Sequence, residues 1–330
     1  AIQAEAQNVH ITLGFDGKSD AKPSSLAIID DGHGMDPEMI RLAVIWGGTH
    51  RENNRSGFGR YGYGLPSACV SQGRRFSVYS IVDGLQWHRV TIDLDDIADG
   101  RYLDAGTGRI VVPTPEPTAL PKWIEDYIGQ HDNLFTRSLQ EHGTVVLIEK
   151  LDRLTWKTKD NLERQLLQHV GVTYRNFLRS VNVRVQGQLV EPIDPLFITP
   201  GCRFYDLDGD RAEPLPPLNI EVKDTETKKV VGIIKVRYSY LPPTFARLKD
   251  DKPNEQGRQN ARFAIMKEHN GIIILRNGRQ IDVVSPEWTT LQNNDRYWKV
   301  EVDFPAVLDE EFSITTSKQQ VRVSERIWTI

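Results

Sequence analysis

Between Ser56 and Ala68 the chain reads SGFGRYGYGLPSA, which sets Gly57, Gly59, Gly62 and Gly64, with Tyr61 among them, directly ahead of a helix start at Leu65. Glycines so spaced let backbone N–H groups converge on an anion, and a helix N-terminus adds its dipole, so the chemistry on offer is phosphate binding. The letters GFGRYG also spell the G-x-G-x-x-G of dinucleotide-binding folds and protein kinases. The dinucleotide motif requires a strand immediately before its first glycine, and THRENNRS is no strand. The kinase loop requires a following Val and an HRD-type catalytic loop, and neither occurs. Two other pieces could share the work. IIDDGHGM places Asp30, Gly32, Gly34 and Met35 in the order D-x-G-x-G-M, and HGTVVLIE opens a run with Gly143 and Thr144.

Elements must carry these pieces to one place. VHITLGF (9–15) and SSLAIIDDG (24–32) read as strands, the second ending in an acidic, glycine-containing turn. DPEMIRLAVIW (36–46) is a helix with Asp36 as N-cap, Pro37 at its first position, and Met39, Ile40, Ala43 and Val44 at helical spacing. Residues 47–64 hold six glycines among polar residues and form a loop that cannot pack a core. LPSACVSQ (65–72) restarts a helix, with Pro66 in its first turn. RRFSVYSIV (74–82), LQWHRVTIDL (85–94), GRIVVP (108–113) and GTVVLIEKL (143–151) follow as strands, several antiparallel. WIEDYIGQ (123–130) and residues 158–179 are helical. Beyond them, VNVRVQGQLV (181–190), PLNIEVKD (217–224), VVGIIKVRYSYL (230–241), GIIILRNGRQID (271–282) and YWKVEVDFP (297–305) make the second half β-rich, interrupted by a polar insert at 243–262.

Composition narrows the classes. The 330 residues are 39% apolar and 26% charged, which fits an ordinary globular chain of about two domains. A net charge of −4 offers no basic footprint for nucleic acid or anionic membranes. Cys69 and Cys202 form no C-x-x-C pair, which speaks against structural zinc and for free thiols in a reducing, cytoplasmic setting. No apolar run approaches the roughly 20 residues needed to span a bilayer.

The three pieces, in this order and with a helix between the first two, resemble the GHKL (Bergerat-fold) ATPases, the group of gyrase B, the ninety-kilodalton heat-shock chaperones, sensor histidine kinases, MutL and the MORC proteins. Taken singly, each has an ordinary explanation: D-G-x-G makes turns, glycine-rich loops are solvated connectors, and G-T opens many strands. The resemblance implies an α+β architecture. A Bergerat ATP-binding sandwich, a mixed or antiparallel sheet with helices on one face, would occupy 1–157, and a β-rich transducer-like domain 158–330. It also implies ATP and Mg²⁺ as ligands. Asp30 would accept a hydrogen bond from the exocyclic amine of adenine, and Thr144 would support the same edge through a water. Gly32 and Gly34 would leave room for base and sugar, and Met35 would face the purine. Gly57, Gly59, Tyr61, Gly62, Gly64 and Leu65 would form a lid over the triphosphate.

In the second half, EFSITTSKQQV (311–321) resembles the transducer loop that returns a lysine to the terminal phosphate. Lys318 would touch the γ-phosphate and Gln319 assist it. Two departures stand out. The family's first box, E-x-x-x-N, is not spelled by Glu5 and Asn8, which lie three apart rather than four. AIQAEA resembles the segment after that box, so the catalytic Glu and the Mg²⁺-binding Asn are expected ahead of Ala1, in a chain truncated at its N-terminus, and Glu5 is expected as a surface residue. Pro66 stands where relatives often carry a lysine, leaving His50, Arg51, Arg55 or Arg60 to supply the charge. His33 reads as a solvent-facing filler.

The resulting expectation is an ATPase of chaperone-like or MORC-like kind, dimerising when ATP closes its lid, with no membrane partner. A DNA-acting topoisomerase or mismatch-repair subunit, a non-hydrolysing nucleotide-dependent scaffold and a sensor histidine kinase remain alternatives, and the sequence names neither client nor DNA.

Overall fold

A computed structural model describes residues 1–17, 21–48, 62–84, 86–224, 226–246, 261–285 and 293–313. The expected lid glycines Gly57 and Gly59, Tyr61, the lid cations His50, Arg51, Arg55 and Arg60, and Lys318 and Gln319 lie outside the described residues. The chain forms two compact units. One comprises 1–167 with 179–190, the other 168–178 with 191–330.

The first unit is built on the strands β1 (Asn8–Gly14) and β2 (Ser25–Asp30), the helices α1 (Pro37–Val44) and α2 (Gly64–Val70), then β3 (Gly73–Ile81), β4 (His88–Asp93), α3 (Leu94–Ala98), β5 (Glu116–Pro117), α4 (Lys122–Gln130) and β6 (Gly143–Leu151). The helix α5 (Lys159–Thr173) carries the chain from the first unit into the second, and the hairpin β7 (Asn182–Val185) and β8 (Gln188–Leu189) returns to the first. The sheet runs β5-β4-β3-β6-β2-β1-β7-β8, antiparallel except where β7 lies parallel to β1. The segment 181–190, read in sequence as part of the β-rich second half, is thus an edge of the first sheet. Alternation sends Phe76, Val78 and Ile148 to one face, under Ile40 and Val44 of α1 and Cys69 of α2. It sends Ala27, Ile29, Tyr79, Val145 and Leu147 to the other, under Ile124 of α4. Each such buried aliphatic contributes about 1.5–3 kcal/mol against exposure.

Two sequence expectations change. Residues 108–113 form no strand beyond a single bridge between Leu103 and Ile110, because Ile110 and Val111 have no sheet face to bury against and stay exposed. The helix expected over 158–179 ends at Thr173, where the Arg175 guanidinium turns back to donate to the Val172 carbonyl.

The second unit holds β9 (Glu213–Lys223), β10 (Val230–Tyr240), α6 (Phe263–Glu268), β11 (Ile272–Arg276), β12 (Arg279–Val284) and β13 (Trp298–Phe304), in the sheet order β12-β11-β13-β10-β9. Its apolar face packs Val222, Ile234, Val236, Ile274 and Phe304 against Leu308 and Phe312. On β13, buried Glu301 accepts from both Arg175 and Arg237, so its charge is paired rather than stranded. Among the described residues no helix is long and apolar enough to cross a membrane.

Candidate functional site

The end of β2 carries two adjacent carboxylates with opposite surroundings. Asp31 is fully buried and takes four hydrogen bonds: Gln7 N and Asn8 N at 2.8 Å on Oδ1, and Asn8 Nδ2 at 2.8 Å and Thr136 N at 2.9 Å on Oδ2. Burial alone would raise its pKa, but the bonds from Asn8, Thr136 and Gln7 outweigh it and hold the carboxyl below the ordinary range. Asp31 is an anchor. It ties the start of β1 to the loop before β6, and Asn8 is occupied in that anchor.

Asp30 faces the other way. Its Oδ1 accepts from Gly32 N at 3.0 Å. Burial pushes its pKa up, against the pull of the Gly32 bond. A desolvated carboxylate with spare acceptor capacity is poised to receive a donor from a ligand.

Sheet register determines what stands beside it. Asp30 pairs with Thr144 across β2 and β6, and Thr144 pairs with Ser80 across β6 and β3. The three side chains therefore form one row on one face, with strands about 4.8 Å apart. Next to the row, Val146 continues the same face of β6 as apolar floor.

Over this row lies a cavity of about 350 Å³, lined by Asp30, Gly34, Met35, Gly62, Leu65 and Thr144, together with His33, Met39, Leu42, Ala43, Val146 and the chain start at Ala1, Gln3 and Ala4. That volume is within the range of small-molecule sites, roughly 300–1,000 Å³. Its walls are apolar and one end is polar, which suits a flat heteroaromatic ring with a hydrogen-bonding edge. Helix α1 supplies a wall because Asp36 caps it, accepting from Met39 N at 2.8 Å. From that start, helical spacing turns Met39, Leu42 and Ala43 to the cavity and Ile40 and Val44 to the core.

The remaining expected residues are distributed as follows. Gly34 has φ +75°, and a Cβ there would sit 2.0 Å from the Ile81 carbonyl oxygen, so only glycine lets this turn touch β3. Gly32 is not in the cavity wall; its missing Cβ allows close approach to Asp30 Oδ1 and Ala4 O. Gly64 opens α2 with free space around its Cα and does not line the cavity. Glu5 ends a single 3-10 turn (Ile2–Ala4), exposed and 3.6 Å from Arg137. His33, read as a solvent-facing filler, instead belongs to the cavity wall, its Nδ1 2.6 Å from Gly34 O. Ser80 escaped the sequence reading. Its signal was a hydroxyl in the inward stripe Phe76, Val78, Ser80 of an apolar strand, and it is wholly buried.

Neither Cys69 nor Cys202 is in a disulfide, and burial pushes the Cys69 thiol up to about 12, which makes it inert as a nucleophile at neutral pH. Among the described residues no three His, Cys, Asp or Glu side chains converge as metal ligands.

Residues 1–107, which contain the Asp30 turn and the glycine loop, match the family described as histidine kinase-, DNA gyrase B-, and HSP90-like ATPase. That segment is similar to the GHKL-type ATPases. Among solved structures, the chain is similar to the B-subunit of the DNA gyrase from Myxococcus xanthus, with 12% identity and a TM-score of 0.45 over 98% of this chain and 81% of that one. No curated protein matches it.

Proposed function

We propose that this protein binds ATP in the first unit and hydrolyses it to drive a conformational clamp. The observation that carries the reading is the convergence of Asp30, Gly34, Met35, Gly62, Leu65 and Thr144, drawn from three separate sequence segments, around one cavity whose polar end is the Asp30–Thr144 pair. The adenine ring would enter between Met35 and the α1 wall, its exocyclic amine donating to Asp30. Leu65, at the start of α2, marks the side toward which the phosphates would extend, under a lid drawn from residues 47–64. Lys318 and Gln319 would sense the terminal phosphate from the second unit. Mg²⁺ would come with the triphosphate and supply charge neutralisation there. Ordering of the lid by the γ-phosphate would favour a closed homodimer, and hydrolysis would release it, as in other nucleotide switches. Client binding in a chaperone-like or MORC-like manner, within the cytoplasm, completes the reading, and two cysteines outside any disulfide accord with it.

Isothermal titration of the chain with ATP and Mg²⁺, in parallel with Asp30→Asn, tests this. Binding by the parent and at least a tenfold loss in the variant is the expected result, since an amide presents a donor where the amine needs an acceptor. Equal affinity in the two proteins would remove Asp30 from the site and the reading with it.

A further inference from the structure

Ser80 stands in the row with Asp30 and Thr144 but is not part of the cavity wall. It is fully buried, and its Oγ donates to the Gly143 carbonyl at 2.7 Å and accepts from Met35 N at 2.9 Å. Its third neighbour is Thr144 Oγ1, at 2.9 Å. A serine hydroxyl has one proton and two lone pairs. With the proton on Gly143 O and one lone pair taken by the Met35 N–H, the only role left toward Thr144 is acceptance. The single hydroxyl proton of Thr144 is therefore directed inward to Ser80, and what Thr144 turns to the cavity is lone pairs.

We propose that Ser80 is a specificity-setting positioning residue: by taking the Thr144 proton it makes the polar end of the cavity accept only, so that the site selects a purine bearing an amine at position 6 over one bearing a carbonyl. The inference rests on the nucleotide-binding reading above. The Asp30 carboxylate accepts, Thr144 accepts, and neither offers a proton to a 6-carbonyl oxygen. Without Ser80 the Thr144 hydroxyl is free to rotate and donate outward, and the wall then suits either edge. Ser80 also holds Met35 N, so one buried hydroxyl orients the polar end and tethers the turn whose Met35 side chain lines the cavity.

The test is a double-mutant cycle read as an affinity ratio. ATP and ITP, which differ at the 6-position, are titrated calorimetrically into the parent chain, Ser80→Ala, Thr144→Val and the double variant, with thermal melts fixing the folded fraction. The parent is expected to favour ATP, and Ser80→Ala to narrow the ATP/ITP ratio by about tenfold, the worth of one hydrogen bond. The double variant should narrow it no further than Thr144→Val, because Ser80 acts through Thr144. A merely structural role lowers both affinities together and leaves the ratio unmoved. An unchanged ratio in Ser80→Ala, or additive narrowing in the double variant, overturns the role of Ser80 while leaving nucleotide binding intact. A parent that binds neither nucleotide overturns the binding reading itself, and this inference with it.

Discussion

The adjacent carboxylates Asp30 and Asp31 should respond oppositely to the same substitution. Asp31→Asn keeps one acceptor oxygen and replaces the other by an amide that faces two donors. If Oδ1 is kept, the bonds from Asn8 Nδ2 and Thr136 N are lost. Thr136 N is backbone and cannot reorient. Two hydrogen bonds to a charged group, at roughly 1.5–3 kcal/mol each, give a cost of about 3–6 kcal/mol. For a unit of this size that corresponds to a fall in melting temperature on the order of 10 °C. Asp30→Asn removes a charge that burial disfavours and keeps an oxygen for Gly32 N, so the variant should melt within a few degrees of the parent or above it.

The pH dependence carries the same contrast. With its pKa held low, Asp31 stabilises the fold above the ordinary carboxylate value near 3.8, and that contribution is lost as pH falls below it. Asp30, with its pKa raised, costs stability as pH rises above 3.8, since the native state retains a proton that the unfolded chain releases. Differential scanning calorimetry of both variants at several pH values is the assay. An Asp31→Asn protein as stable as the parent, or an Asp30→Asn protein as destabilised as Asp31→Asn, would refute the division of roles.

Two other outcomes are expected. Gly34→Ala forces a Cβ to 2.0 Å from Ile81 O at a left-handed backbone position, so it should cost about 3 kcal/mol or more in a denaturant titration and abolish nucleotide binding; retention of both would show that the turn can open without penalty. Burial lowers the pKa values of His10, in the first unit, and His269, in the second, from 6.5 to about 4. The unfolded state then binds more protons between these values, so stability drops as pH falls from 6.5 to 4, by roughly 3 kcal/mol per histidine at the limit. His10→Phe should flatten that slope in the first unit's melting, and an unchanged slope would count against the assignment.

Much of the site could be read from the chain because its pieces are short and local. Asp36 as N-cap, Pro37 at the first turn and the spacing of Met39, Ile40 and Ala43 specified α1, and the structure has the cap bond. GTVVLIEKL specified β6 residue for residue. The β-rich reading of 271–282 holds as two strands, with Asn277 and Gly278, both at positive φ, making the turn between β11 and β12. The strand expected at 108–113 failed for a nonlocal reason: local propensity was present, but no neighbouring face was there to bury Ile110.

What the sequence by itself determined, then, is the local inventory: a carboxylate ending an apolar strand, a glycine turn, a capped helix and a Gly-Thr strand start. Such features depend on residues within a few positions of one another. Only the tertiary structure decided which of two neighbouring aspartates faces the cavity, that Gly32 spaces backbone rather than ligand, and that Ser80 belongs to the row. Those outcomes depend on the register of β2, β6 and β3, set by pairings between residues far apart in the chain: Ser25 with Glu149 is 124 apart, and Asp30 with Thr144 is 114. A shift of one residue in that register would turn each side chain to the opposite face, and nothing local to Asp30, Thr144 or Ser80 fixes it.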